Sequence, residues 1–307
     1  MSKHLIIYNP IAGKGHAAKV APLIETRLKE LGVEYTLVLT EKVGHGIELA
    51  RNAALMGFDV VVAAGGDGTT NEVINGLMEA KDKGHKPPTM AVLPVGRGND
   101  FAFSMGIPTT WEAACQVLAD ANSMPLDIGI SRGEYYPDGR YFGNGVGVGF
   151  DAVVGFVAAK SKLTGMLSYL VAALKTMYIY FKAPMVEITL DTETITVSAL
   201  MVSIMNGRRM GGSFMMAPDS VMGDGLLDLC IVSEVSRGKL LPLIGKFMKG
   251  SQADDPAVRM VRSSHVTVTA VKGTLPAHGD GETLCEEGHQ LRIELLPQQL
   301  QLITLKK

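Results

Sequence analysis

The chain has 307 residues, 47% of them hydrophobic, enough for two ordinary cores, and a formal net charge of −2. That charge balance removes any electrostatic reason to expect a nucleic-acid partner. Cys115, Cys230 and Cys285 are too widely spaced for a metal or disulfide pattern, and residues 1–8 run into a strand without a secretory leader, so a reducing, cytoplasmic setting is expected.

The first 125 residues alternate strand and helix. Residues 5–8 read as a strand and 17–31 as an amphipathic helix stopped by Gly32. Between them lie Asn9, Pro10, Ile11, Ala12, Gly13, Lys14 and Gly15. This loop can bring backbone amides to a nucleotide or serve as a plain βα turn; it lacks the spacing of a Walker A loop. Residues 35–40 form the next strand, ending at Thr40, and 47–56 the next helix.

Residues 60–64 are an unbroken apolar run, as in a strand covered on both faces. They lead into Gly65-Gly66-Asp67-Gly68-Thr69-Thr70-Asn71-Glu72. The glycines permit a tight turn and a close ligand approach. Thr69 and Glu72 have the spacing of a capping box ahead of a helix over 72–81, and the first turn of such a helix suits a phosphate. A further strand over 90–94 leads into Val95-Gly96-Arg97-Gly98-Asn99-Asp100, and a helix is expected over 110–118. Asn99 and Asp100 fit a metal or substrate hydroxyl, or a capped turn. The rhythm predicts a doubly wound, Rossmann-like parallel sheet, whose ligand site lies beyond the carboxyl ends of its strands. The loops 9–15, 65–69 and 95–100 all fall there.

After Pro125 the pattern changes to short alternating runs bounded by glycine. Strands are expected over 127–131, 141–148, 186–190, 196–205, 227–232, 266–270 and 290–295, forming an antiparallel β domain of sandwich type. One helix over about 151–181 interrupts them. Its apolar part, 166–181, contains Lys175 and is shorter than the ~20 residues a bilayer span needs. A core helix and a helix lining an apolar cleft or touching a membrane both fit.

Two turns in this half carry possible chemistry. Residues 217–226 place Asp224 among exposed carbonyls, which suits magnesium or a plain β-turn. His278-Gly279-Asp280-Gly281-Glu282 places two carboxylates two residues apart, on one face if the chain is extended, though Asp-Gly is also a common hairpin turn.

Taken together, Asn9-Pro10…Gly13, the run 65–72, Gly96…Gly98-Asn99-Asp100-Phe101-Ala102, Phe142-Gly-Asn144…Gly149-Phe-Asp151, Asn206-Gly207…Gly211-Gly212, Ala217-Pro218…Gly225-Leu226-Leu227-Asp228 and Asp280-Gly281-Glu282 resemble the diacylglycerol kinase catalytic-domain family. Soluble bacterial lipid kinases match best, with sphingosine and ceramide kinases as relatives, and order and spacing agree over nearly the whole chain. The resemblance implies a nucleotide-binding domain over 1–126, to which 297–307 returns, a lipid-binding β domain over 127–296, and an active site in the cleft between them. It implies transfer of the γ-phosphoryl of ATP to a lipid hydroxyl with magnesium. The nucleotide contacts would be Asn9 to Gly13, Thr40, Gly65 to Glu72, Val95 and Gly96. Glu282 matches the general base, Asp280 stands beside it, and Asp127 and Asp100 match polar residues near the catalytic magnesium. Carbonyls of Val221 and Leu226 with the Asp224 carboxylate would hold a structural magnesium or calcium. Apolar residues around 153–181 would receive acyl chains. The expected partner is a lipid at a membrane surface, through peripheral contact, and a homodimer stays open. Arg97 departs from the small polar residue usual in relatives. Phosphorylation of a soluble substrate such as NAD, or silent lipid or nucleotide binding, remain as alternatives.

Overall fold

A computed structural model describes residues 2–159, 171–176 and 183–306. The chain divides into two compact units, Met1–Ile128 with Pro297–Lys307, and Gly129–Leu296.

The first unit is built on β1 (His4–Tyr8), β2 (Tyr35–Leu39), β3 (Val60–Gly65) and β4 (Thr89–Pro94), all parallel in the order β2-β1-β3-β4. Every residue of β1 and β3 is buried, which is why both read as unbroken apolar runs rather than alternating ones. The helices are α1 (Ala12–Glu30), α2 (His45–Leu55), α3 (Asp67–Asp82), a short α4 (Asp100–Ser104) and α5 (Trp111–Asp120). Ile6, Tyr8, Val62 and Leu93 pack with Ile24 and Leu28 of α1 and Cys115 and Leu118 of α5 in one core. The alternate residues Leu5, Ile7, Val61 and Ala63 are equally buried on the face that meets α2 and α3. This is the expected doubly wound sheet. The regular part of α1 starts late, because Gly13, Lys14 and Gly15 all have left-handed φ.

Two expectations need correction in this unit. The capping box does not form: Gly66 is the N-cap of α3, Thr69 lies inside the helix, and the Glu72 carboxylate accepts the N–H groups of Gly44 and Gly46, both at 2.8 Å. Glu72 thereby ties α3 to the start of α2. The helix α4 was not expected, since five residues show no readable period.

The second unit is a β-sandwich, as expected. Its strands are β6 (Arg140–Phe142), β7 (Gly145–Gly149), β8 (Met185–Leu190), β9 (Thr194–Met205), β10 (Leu227–Ser233), β11 (Val258–Ser263), β12 (His265–Lys272), β13 (Leu275–Gly279) and β14 (Glu282–Gly288). Strands β5 (Ser123–Arg132) and β15 (Gln290–Ile303) carry the chain out of the first unit and back to it. The first half of β9 pairs with β8, which continues to β12 and β15; its second half pairs with β7 and β10, which continue to β13, β14 and β11. Val148, Val202, Ile204, Leu229, Ile231, Val268 and Ile293 fill the space between the two layers.

The outer face of the second layer is also covered. Helices α6 (Phe150–Ala159) and α7 (Arg237–Lys249) bury Phe150, Val154, Leu243 and Phe247 against Met201, Cys230 and Val232. The helix expected over 151–181 is described only at 150–159 and 171–176; the remainder, with most of the 166–181 stretch, lies outside the described residues. Among the described residues no helix is long and apolar enough to cross a membrane.

Candidate active site

In the first unit three βα loops meet beyond the strand ends. Asn9 follows β1; its N–H donates to the Ala64 carbonyl at 2.9 Å, its Nδ2 donates to Thr69 Oγ1 at 3.1 Å, and its Oδ1 accepts the Ile11 N–H at 3.2 Å. One side chain therefore holds the loop of Pro10, Ile11, Ala12 and Gly13 against the start of α3. Thr40, just past β2, donates its N–H to the Tyr8 carbonyl at 2.8 Å.

The loops after β3 and β4 touch backbone to backbone. The Val95 N–H donates to the Gly65 carbonyl at 2.9 Å. A Cβ on Gly96 would collide with the Gly66 Cα, and one on Gly65 would collide with the Thr69 side chain. Only glycine permits that approach. Asn99, held at φ 52°, accepts the Gly96 N–H on its Oδ1 at 3.1 Å and fixes the turn. Its place in a Gly-Asn-Asp run was the available signal, since Asn tolerates the left-handed region.

At the centre is the N-terminus of α3. No side chain caps it, and its first turn lies at the positive dipole end, an arrangement that suits an anion. Thr70 and Asn71 are buried behind it, and Asn75 Nδ2 donates to Asn71 Oδ1 at 3.1 Å.

Asp67 and Asp100 converge beside this terminus. Asp67 Oδ1 accepts the Phe101 N–H at 3.1 Å, which ties α3 to α4. A Cβ on Gly98 would lie 2.8 Å from Asp67 Oδ2 and 3.4 Å from Asp100 Oδ2. Two carboxylate oxygens thus lie close to Gly98, where any side chain would crowd them. That donor set fits magnesium, which usually takes one or two carboxylates and completes its shell with water and phosphate oxygen. Asp127, expected near Asp100 at a metal, is buried, and its Oδ1 accepts the Gln298 N–H at 2.7 Å. It anchors the returning C-terminal segment.

In the second unit the Asp280–Glu282 motif is a hairpin turn between β13 and β14. Asp280 and Gly281 have φ of 48° and 90°, the signs of a type I′ turn, so the chain is not extended and the shared-face argument fails. The Asp280 carboxylate accepts the N–H groups of Gly143, Asn144 and Gly145 at 2.7, 3.1 and 2.9 Å. Asp280 positions a loop. Glu282 opens β14 and is half-exposed.

Near this hairpin lies a buried polar group of Asp151, Ser203 and His278; Asp151 and His278 stand in motifs quoted above, but the sequence did not bring them together. Ser203 Oγ donates to Asp151 Oδ2 at 2.7 Å, and a Cβ on Gly147 would meet Asp151 Oδ2 at 2.5 Å and His278 Nε2 at 2.6 Å. Burial pushes the Asp151 carboxyl up to about 7 and the His278 imidazole down to about 4. Nearby, Phe150, Val154, Leu200, Phe214, Leu243 and Phe247 line an apolar cavity of about 50 Å³ beneath α6 and α7.

Asp224, expected at a structural metal, lies in an ordinary hydrogen-bonded turn. Asp224 Oδ1 accepts the Leu226 N–H at 3.0 Å, and its other oxygen pairs with Arg262, whose Nε also reaches Asp228 at 3.1 Å. One guanidinium against two carboxylates leaves a negative excess. Oxygen donors of this type suit a hard divalent cation, although both Asp224 oxygens are engaged here by the Leu226 N–H and Arg262. Among the described residues no group of three or more His, Cys, Asp or Glu is gathered for a metal.

Residues 3–130 match the family model of the diacylglycerol kinase catalytic domain, and residues 144–304 match that of the YegS C-terminal NAD kinase beta sandwich-like domain. A diacylglycerol kinase of Bacillus subtilis (strain 168) is 30% identical over 285 residues, covering 92% of this chain and 90% of the relative. One from Staphylococcus saprophyticus is 28% identical, covering 86% of this chain and 84% of the relative. The crystal structure of a diacylglycerol kinase from Bacillus anthracis str. Sterne superposes with a TM-score of 0.75 at 22% identity, over 99% of this chain and 97% of that one, which shows the fold.

Proposed function

The chain belongs to the diacylglycerol kinase catalytic-domain family and is an ATP-dependent lipid kinase, and from that premise we propose that its acceptor is the free hydroxyl of a diacylglycerol and that magnesium assists the transfer. The observation that carries the phosphate half of this reading is the uncapped N-terminus of α3, framed by two glycine loops and flanked by Asp67 and Asp100. Amides there would hold the β- and γ-phosphates of ATP, with Asn9 to Gly13, Thr40 and Val95–Gly96 around the nucleotide. Asp67 and Asp100 would hold the catalytic magnesium, and Asp224 with the carbonyls of Val221 and Leu226 a structural one. Magnesium, when bound, spreads the negative charge of the transferring group, where positioning and electrostatics supply most of the catalysis.

The protein's own groups then do the following. The acceptor hydroxyl oxygen forms its bond to the γ-phosphorus as the bridging P–O bond breaks, and ADP leaves. Glu282 takes the hydroxyl proton, help typically worth ~10²–10⁴-fold. Asp280 keeps the 143–145 loop in place through its three N–H contacts. The apolar cavity of about 50 Å³ has room for no more than the end of a hydrocarbon chain, so the acyl half of the substrate rests on the family membership. Work at a membrane surface follows from such a substrate.

Glu282→Gln tests the assignment. Radiolabelled ATP and dioctanoylglycerol micelles should show kcat down by ~10²–10⁴, with ATP affinity by calorimetry and Tm near wild type. A variant that loses ATP affinity but keeps its rate at saturating ATP would remove Glu282 as the base.

A further inference from the structure

Arg97 stands at the apex of the loop after β4, where the family resemblance predicts a small polar residue. Its place is narrowly set. Asn99 closes the turn, accepting the Gly96 N–H at 3.1 Å and donating to the Gly96 carbonyl at 3.3 Å. On one side of Arg97, Gly96 rests against Gly66, the N-cap of α3. On the other, a Cβ on Gly98 would lie 2.8 Å from Asp67 Oδ2, in the first turn of the same helix. The loop after β1 reaches this point too, since a Cβ on Gly13 would lie 2.9 Å from the Val95 carbonyl oxygen. Successive Cα atoms are about 3.8 Å apart, so the Arg97 backbone is one step from each contact with the start of α3. Its side chain is exposed.

Charge shows what a cation at that position serves. The runs 65–72 and 95–100 hold three acids, Asp67, Glu72 and Asp100, and Arg97 is their single base. Glu72 is taken by the amides of Gly44 and Gly46. Asp67 and Asp100 remain beside the helix end, which supplies only about half an elementary charge of its own. A strongly anionic triphosphate next to two carboxylates is favoured by a fixed cation. A guanidinium suits that task, because its planar fork donates two parallel N–H bonds to phosphate oxygens. Sheet order indicates which phosphate. The strands run β2-β1-β3-β4. Thr40 follows β2, Asn9 to Gly13 follow β1, α3 follows β3, and Arg97 follows β4 at the far end of that series. A nucleotide lying along it with its base toward β2 brings its last phosphate to Arg97. We propose that the Arg97 guanidinium binds the γ-phosphate of ATP and makes the site prefer a triphosphate to a diphosphate. The proposal rests on the ATP-dependent kinase reading and deepens it: ADP lacks the contact and leaves more readily after transfer.

The experiment is calorimetry of the full chain with magnesium and either the non-hydrolysable analogue adenylyl imidodiphosphate or ADP, beside rates on dioctanoylglycerol micelles. The wild type should bind the analogue more tightly than ADP. Arg97→Gln should weaken the analogue about ten- to a hundred-fold, the usual effect of losing a hydrogen bond to a charged group, and leave ADP nearly unchanged. Its kcat/KM for ATP should fall by the same factor, with Tm near wild type. Arg97→Lys keeps the charge without the fork; it should keep part of the preference, and it carries the test if the Gln variant does not fold. The magnesium concentration giving half-maximal rate should stay near wild type. Equal losses for analogue and ADP would make Arg97 a loop-shaping residue and overturn the proposal. So would unchanged analogue affinity in both variants, or a shifted magnesium requirement at unchanged analogue affinity, which would place Arg97 on the Asp67 and Asp100 carboxylates instead. A wild type that shows the Arg97-dependent preference but phosphorylates no dioctanoylglycerol would support the contact and defeat the diacylglycerol assignment.

Discussion

Asp151 shows how a residue's chemistry is set by what surrounds it. Its carboxyl is fully buried, accepts from Ser203 and from the Ala152 N–H at 2.7 and 2.9 Å, and is pushed up to about 7 by desolvation. In the unfolded chain it titrates near an ordinary ~3.9. The folded state therefore binds more protons between about 4 and 7, and stability falls as pH rises through that window. His278 works in the opposite direction: burial lowers it to about 4, so its contribution is lost as pH falls from ~6.5 towards that value. Asp151→Asn removes the ionisation and loses about 1 kcal/mol of hydrogen bonding at every pH. The Tm difference between variant and wild type should thus move in the variant's favour from about pH 5 to about pH 8. A pH-independent difference in a scanning melt would show that the carboxyl does not ionise there.

At the scale of elements, Glu72 separates two roles that its motif suggested together. Its carboxylate joins α3 to α2 through the amides of Gly44 and Gly46. Removing it leaves two N–H donors without their acceptor, each worth about 1–3 kcal/mol where water cannot replace it. Glu72→Ala should lower Tm by several degrees, with ATP affinity changed less than three-fold. Calorimetry giving a large loss of ATP affinity at unchanged Tm would return Glu72 to the nucleotide site. The same scale explains why α7 went unread: its pattern is interrupted by Gly238, Pro242 and Gly245. Pro242 and the two glycines lower helix propensity, and tertiary packing of Leu240, Leu243 and Phe247 overrides them.

For the whole molecule, the last eleven residues belong to the first unit although they follow the second in sequence. Leu302 pairs in parallel with Met90 of β4, Lys81 Nζ donates to the Gln299 carbonyl at 2.7 Å, and Asp127 holds Gln298. Leu300, Leu302 and Ile303 are 2%, 0% and 3% exposed. At about 1.5–3 kcal/mol for each buried aliphatic side chain, their loss rivals the ~5–15 kcal/mol that holds a typical domain. A chain ending at Leu296 should be insoluble, or soluble without ATP binding. A cooperative melt within a few degrees of the full chain would show that the segment is dispensable.

The sequence by itself determined the parallel α/β unit, the sandwich class and the close-packed glycine loops, because these rest on local physics. A five-residue apolar run such as 60–64, too short for a helix and bounded by glycines, reads as a strand covered on both faces, and Gly65-Gly66 and Gly96 lie where the backbones approach closely. What the short-range pattern could not show was the destination of each polar side chain. Asp280 sits in a motif that reads as catalytic, yet its carboxylate is taken by three amides some 135 residues away in sequence, at Gly143, Asn144 and Gly145. Glu72 has capping-box spacing but is claimed by α2, and Asp127 by Gln298. Hydrogen bonds to carboxylates are decided by which donors the fold brings near and leaves unsatisfied, and that is a property of the tertiary structure alone.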